Sequence, residues 1–462
     1  MPSTLPEGEP VPADGSLPVP AGARPLGWYV HVPYCASRCG YCDFNTYAIG
    51  PGATAPGGMG AATAVGAAPE TSGAGSPVGW AAGAVAEVAL AGRVLGPDAP
   101  PARTVFFGGG TPTLMPTADL ARVLGAIRET FGFADDVEIT TEANPESVTQ
   151  ESLVQLRAAG FNRLSLGVQS ATPHVLATLD RHHTPGRAAD VVGWARAAGF
   201  DQLSLDLIYG TPGETLSDWE TTLRVAGSLH PDHLSAYALI VEPGTRLAAK
   251  IARGELPAPD DDDLADKYLL ADEAFVTHGL TWYEVSNWAV SPAARCRHNL
   301  GYWHGDDWWG VGPGAHSHVD GVRWWNVKHP AQWASRLAEG RSPGAGREVL
   351  DPEQRRVEDV LLRVRLAEGL SADRLLPSGR RGAETAVSDG LIDPDRWSDG
   401  RVVLTQQGRL LADAVVRSLL PDGGRGSRGS REVRARVRTF TRRTGSPPGT
   451  GRPGPARGSP RR

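Results

Sequence analysis

The stretch from His31 to Tyr47, HVPYCASRCGYCDFNTY, constrains this chain more than any other. It holds three of the four cysteines in 462 residues, Cys35, Cys39 and Cys42, directly after the short apolar run WYVHV (28–32). Four cysteines in a chain of this length do not make a disulfide framework. The C-x3-C-x2-C spacing also lacks the second C-x2-C pair of a zinc ribbon. The remaining cysteine, Cys296, lies 254 residues beyond Cys42. Thiolates are the usual ligands of iron–sulfur clusters, where four irons ordinarily take four cysteines. Three therefore leave one iron open to a small molecule.

The rest of the composition fits a soluble globular protein, with 40% hydrophobic and 21% charged residues. The length allows one large domain and a smaller one. No apolar run approaches a membrane span, and the Pro-rich leader (1–26) lacks a basic region followed by an apolar core. A cytoplasmic, reducing compartment is expected. The net charge of −6 divides unevenly: from Pro421 the tail has twelve Arg against Asp422 and Glu432, about +10, which leaves about −16 for the rest. Leader and tail (421–462) read as disordered, and Gly50–Gly83, nearly uncharged Ala/Gly/Pro/Thr sequence, as a flexible insertion. The tail allows weak contact with an anionic membrane surface; no specific nucleic acid partner is expected.

Between these segments the pattern is regular. WYVHV, TVFFGG (104–109) and VEITTEANP (137–145) read as strands. AAGFNRLSLGVQS from Ala158 and AAGFDQLSLDLIYG from Ala197 form a near repeat 39 residues apart. Each copy is a helix ending at a glycine cap and followed by a buried strand. A looser copy starts at Leu229. About six such βα units precede Glu242. They predict an α/β fold, a partial parallel (β/α)6 barrel over 27–250 with its site at the C-terminal strand ends. The region 251–420 is expected to form a separate, smaller α+β domain of winged-helix type.

Polar residues recur at those strand ends. GGGTPT (Gly108–Thr113) follows the second strand and permits close backbone approach to a ligand. Glu142 ends the third strand, Gln169 the fourth, Arg181 follows one loop later, and Asp206 lies in the fifth.

A C-x3-C-x2-C motif after the first strand resembles the signature of the radical S-adenosylmethionine (SAM) superfamily. The resemblance implies a [4Fe–4S] cluster on Cys35, Cys39 and Cys42, with SAM on the open iron. It places Tyr41 near the adenine and Gly109, Gly110 and Thr111 at the methionine amino group. It also assigns Tyr29, Glu142, Gln169, Arg181, Asp206 and Ala238 to the cofactor pocket.

Within that superfamily the stretch from Trp28 to Leu419, apart from the insertion, resembles the oxygen-independent coproporphyrinogen III oxidases and their HemW relatives. The oxidase branch has a further cysteine two positions after the third and an ordered N-terminal extension. Here Phe44 stands at that position, and only the leader precedes the first strand. CRHNLGYW (Cys296–Trp303) before GVGPGAHS is similar to the HemW branch. That branch implies a haem chaperone, with haem as cargo and haem-acceptor proteins as partners. His298, then Cys296, would be the axial donor, and Trp303, Trp308 and Trp309 the surface under the porphyrin. The alternative is a radical SAM enzyme, an oxidase or a related methyltransferase.

Overall fold

Strand β1 (Leu26–Val32) buries Leu26, Trp28, Val30 and Val32, the alternation of a strand with one face in a core. It sits in a twelve-stranded sheet with β2 (Ala102–Gly109), β3 (Phe133–Ala143), β4 (Arg163–Gln169), β5 (Gln202–Tyr209) and β6 (His233–Ala238). The later strands are β7 (Thr281–Glu284), β8 (Asn287–Ala289), β9 (Asp307–Val311), β10 (His316–Val319), β11 (Val322–Asn326) and β12 (Gly344–Val349). The computed structural model describes residues 8–18, 24–49 and 76–420. The Arg-rich tail and residues 50–75 lie outside the described residues.

Strands β1 to β6 are parallel neighbours in chain order, as the βα pattern predicts. Helices α1 (Pro77–Leu95), α2 (Thr117–Phe131), α3 (Gln150–Ala159), α4 (Pro173–Thr178), α5 (Arg187–Ala197) and α6 (Leu216–Ser228) lie between them. The repeated Ala-Ala-Gly ends α3 and α5 as expected: Gly160 and Gly199 have φ of 110° and 86°, the left-handed conformation that stops a helix.

The sheet does not stop at residue 250. β9 pairs parallel with β1 on the side away from β2, from Leu26↔Asp307 to Val30↔Val311. β10, β11 and β12 continue antiparallel from β9, while β8 and β7 extend the far edge beyond β6. The expected boundary at 250/251 is thereby corrected. Without β9 the first strand would be an edge with unpaired backbone groups. A separate core begins only with Val360 and ends at Leu419, where helices surround the short ladder Leu370–Ser371 with Arg401–Val402. Arg409 joins this unit to the barrel, 3.0 Å from Asp272 and 4.5 Å over the Trp282 ring.

Three further expectations are corrected. Residues 77–83 of the supposed insertion are the start of α1, because Trp80, Ala81 and Ala84 are buried and Trp80 donates to the His31 carbonyl at 3.1 Å. Residues 8–18 of the leader pack on the sheet: Glu9 and Arg347 exchange backbone hydrogen bonds at 2.8 Å, and Val11 reaches the core. The α1 sequence does meet the length and hydropathy of a membrane span. Its Trp80, Ala84, Val88, Ala91 and Leu95 face the protein interior.

Candidate cofactor and cargo site

The cysteine loop leaves β1 across the glycines that end β2. Gly110 N–H donates to the Val32 carbonyl at 2.7 Å, and Thr111 N–H to the Tyr34 carbonyl at 2.8 Å. A Cβ on Gly110 would lie 2.4 Å from the Tyr34 carbonyl oxygen, so only glycine fits this approach. Gly40 N–H donates to the Leu179 carbonyl at 3.3 Å, which presses the middle of the loop against the turn after α4.

Cys35, Cys39 and Cys42 are partly buried and line one cavity of about 1470 Å³ at the C-terminal strand ends. Burial pushes the Cys35 thiol up to about 12. Burial also raises Cys39, against the pull of the Arg181 guanidinium. A metal ion reverses this preference by binding the thiolate. Among the described residues no three thiol, imidazole or carboxylate groups are gathered for a single ion. Three thiols spread along one loop at a cavity wall instead fit a cluster, where each thiolate takes its own iron.

The remaining polar residues of the pocket converge on the same cavity. Glu142 accepts from Gly109 N–H at 3.1 Å. Burial, then the neighbouring Asp206, pushes its carboxyl up to about 7. Asp206 accepts from Ser165 at 2.8 Å and is raised by burial. Gln169 has φ of 65°, a left-handed turn that ends β4. Arg181 follows a second such turn: Asp180 has φ of 54°, Arg181 N–H returns to the Leu176 carbonyl at 2.9 Å, and Asp180 N–H to Ala177 at 3.1 Å. This double return closes α4 and sends the Arg181 guanidinium inward to the Tyr41 hydroxyl. Tyr29, Thr111 and Ala238 complete the wall. Two half-buried carboxyls beside one half-buried guanidinium suit a zwitterionic ligand with an ammonium and a carboxylate, the groups by which SAM would be held here.

His298 and Cys296 also border the cavity, but neither is a free donor. His298 bonds Thr104 through Nδ1 (2.9 Å) and Tyr302 through Nε2 (2.8 Å), and its ring stacks on Phe106 at 5.1 Å. Burial drops it to about 3. The Cys296 thiol donates to Glu138 at 3.8 Å and is pushed up to about 12 by burial. Both fasten α7 (Arg297–His304) to the barrel, and their engaged atoms leave neither ready for the axial role expected of them. Trp309 is buried between Trp28 and Trp324, and Trp308 donates to the His316 carbonyl at 3.0 Å; of the three tryptophans only Trp303 lines the cavity.

The sequence reading missed Ser235, Tyr237, Asn287 and Glu284. These four link Asp206 to Trp303 in one chain of side-chain hydrogen bonds along the cavity. Alternation along β6 places His233, Ser235 and Tyr237 on one face, which is the signal that could have found them.

Residues 29–226 match the radical SAM superfamily. Over 411 residues the chain is 49% identical to the heme chaperone HemW of Mycobacterium tuberculosis, spanning 89% of this chain and 98% of that protein. The chain belongs to the HemW family. It is also 30% identical over 416 residues to the heme chaperone HemW of Escherichia coli, spanning 86% and 99%. Among solved structures, the coproporphyrinogen III oxidase HemN of Escherichia coli, a radical SAM enzyme, superposes with a TM-score of 0.70 at 24% identity, over 86% of this chain and 90% of that one. That likeness shows a shared fold. Membership in the radical SAM superfamily implies a [4Fe–4S] cluster and SAM for this HemW-family chain, and the cavity walls described above fit both.

Proposed function

We propose that this HemW-family chain binds haem and passes it to acceptor proteins, without oxidising coproporphyrinogen III. Position 44 carries this reading. Where the oxidase branch has a further cysteine, Phe44 is 50% exposed on the cavity wall. It offers an apolar ring at the mouth, suited to a porphyrin face. The relatives of highest similarity quoted above bear the name heme chaperone, which supports the same reading.

Cys35, Cys39 and Cys42 hold the cluster in this account. Glu142, Asp206 and Arg181 orient SAM, and Gly109 and Gly110 let the backbone approach it. A bound cluster with SAM supplies one-electron chemistry. The residues of this chain contribute recognition and exclusion of water. The reading puts the protein in the cytoplasm, where thiols stay reduced.

The complete set of SAM-facing side chains favours a second reading, a radical SAM enzyme. One experiment separates them. The cluster is reconstituted anaerobically, and the protein is titrated with haem and assayed with coproporphyrinogen III, SAM and a reductant. A chaperone gives a saturable haem spectrum and no porphyrinogen loss. Sustained turnover with release of 5′-deoxyadenosine overturns the proposal.

A further inference from the structure

We propose that His182 is the axial ligand of the haem iron, at the mouth of the cavity. This rests on the haem reading above and names the donor that reading needs. A ligand for transferable cargo must border the cavity, carry a ring nitrogen with no protein partner, and be reachable by an acceptor. Four described imidazoles border the cavity: His182, His233, His298 and His316.

His298 has both nitrogens engaged. His233 is 2% exposed and bonds the Tyr283 hydroxyl at 2.8 Å through Nε2. Its Nδ1 has no partner. It lies two residues before Ser235 on β6, towards the N-terminal end of the barrel, away from the mouth where an acceptor would arrive. His316 bonds the Gly314 backbone and packs beside the Trp325 ring at 6.1 Å. The thiol of Cys296 is buried and donates to Glu138. His182 alone of these donors is exposed, and no hydrogen bond or ion pair holds its ring among the described residues.

Its place follows from the turn that closes α4. Asp180 in the left-handed conformation turns Arg181 inward to Tyr41 and leaves the next residue on the solvent side. Gly40 packs on the same turn, so His182 stands beside the cysteine loop. That loop carries Phe44 and the exposed Arg38, which spends one N–H on the Cys42 carbonyl at 3.2 Å. An apolar ring and a guanidinium on one loop match the plane and the carboxylates of haem. An exposed imidazole can be displaced by an incoming ligand without opening the fold, as release of cargo requires.

The test is an anaerobic haem titration of the cluster-loaded protein, followed by visible spectroscopy, for wild type, His182→Ala and His182→Gly. His182→Ala should weaken haem binding at least tenfold and change the axial-ligand spectrum, while its iron–sulfur absorption stays that of the wild type. Added imidazole should restore the wild-type spectrum to His182→Gly. A wild-type spectrum and affinity in His182→Ala overturns the assignment alone. A wild-type protein with no saturable haem spectrum overturns the haem reading itself and the assignment with it.

Discussion

Thr111 donates its backbone N–H to the carbonyl of Tyr34 at 2.8 Å, which makes the glycine turn after β2 and the start of the cysteine loop a single unit. Gly110, one residue earlier, has no room for a side chain against that same carbonyl. Cluster loading is therefore expected to depend on Gly110 as well as on the cysteines.

Gly110→Ala should cut the iron–sulfur content after anaerobic reconstitution by more than half. Gly125→Ala is the control: it sits in α2 with nothing within 4 Å of an added Cβ. That change should leave loading intact and stabilise the protein by up to about 1 kcal/mol. Equal loading in Gly110→Ala and wild type would show that the loop can move away from the turn.

Each of Cys35→Ala, Cys39→Ala and Cys42→Ala should abolish the iron–sulfur absorption. Cys296→Ser should retain it, because that thiol is buried against Glu138 at the start of α7. Loss of the cluster in Cys296→Ser would refute the assignment of the three ligands.

Trp80 tests the corrected start of α1. It is fully buried and bonds the His31 carbonyl at 3.1 Å. Trp80→Ala should cost about 3–5 kcal/mol in urea unfolding. A cost below about 1 kcal/mol would return residues 77–83 to the status of an insertion.

Glu87 gives a pH dependence. It is buried in α1 and accepts from Gly312 N–H and Trp333 Nε1, each at 2.8 Å, and from Asn326 at 2.6 Å. Burial pushes its carboxyl up to about 7 despite these three donors. A carboxyl raised on folding binds more protons in the folded state. Stability should then fall as pH rises from the ordinary value of 4.5 towards 7, and level off above it. Glu87→Gln should remove that part of the slope, at most about 3 kcal/mol over the interval. Other raised carboxyls such as Glu142 contribute to both proteins, so the difference between the two pH profiles is the measured quantity. Identical profiles would mean that Glu87 titrates normally.

The sequence by itself determined the features that are local. Cys35, Cys39 and Cys42 share one loop after one strand, so their spacing is readable without the fold. The Ala-Ala-Gly repeat likewise marks two helix ends and two strands, because a helix cap and its glycine are neighbours in the chain. Glu142, Gln169, Arg181 and Asp206 were legible because a parallel barrel turns every strand end to the same face. Only the tertiary structure decided what depends on partners far along the chain. Asp307–Val311 became a sheet strand because β1 offered it an open edge. Trp309 went into the core because Trp28 and Trp324 surround it, while Trp303, six residues earlier, stayed on the cavity wall. His298 and His182 look alike as residues. Thr104 and Tyr302 close both nitrogens of the first, and the left-handed turn at Asp180 leaves the second in solvent. Residue type tells what a side chain can bind; the hydrogen bonds it already makes decide whether it is free to do so.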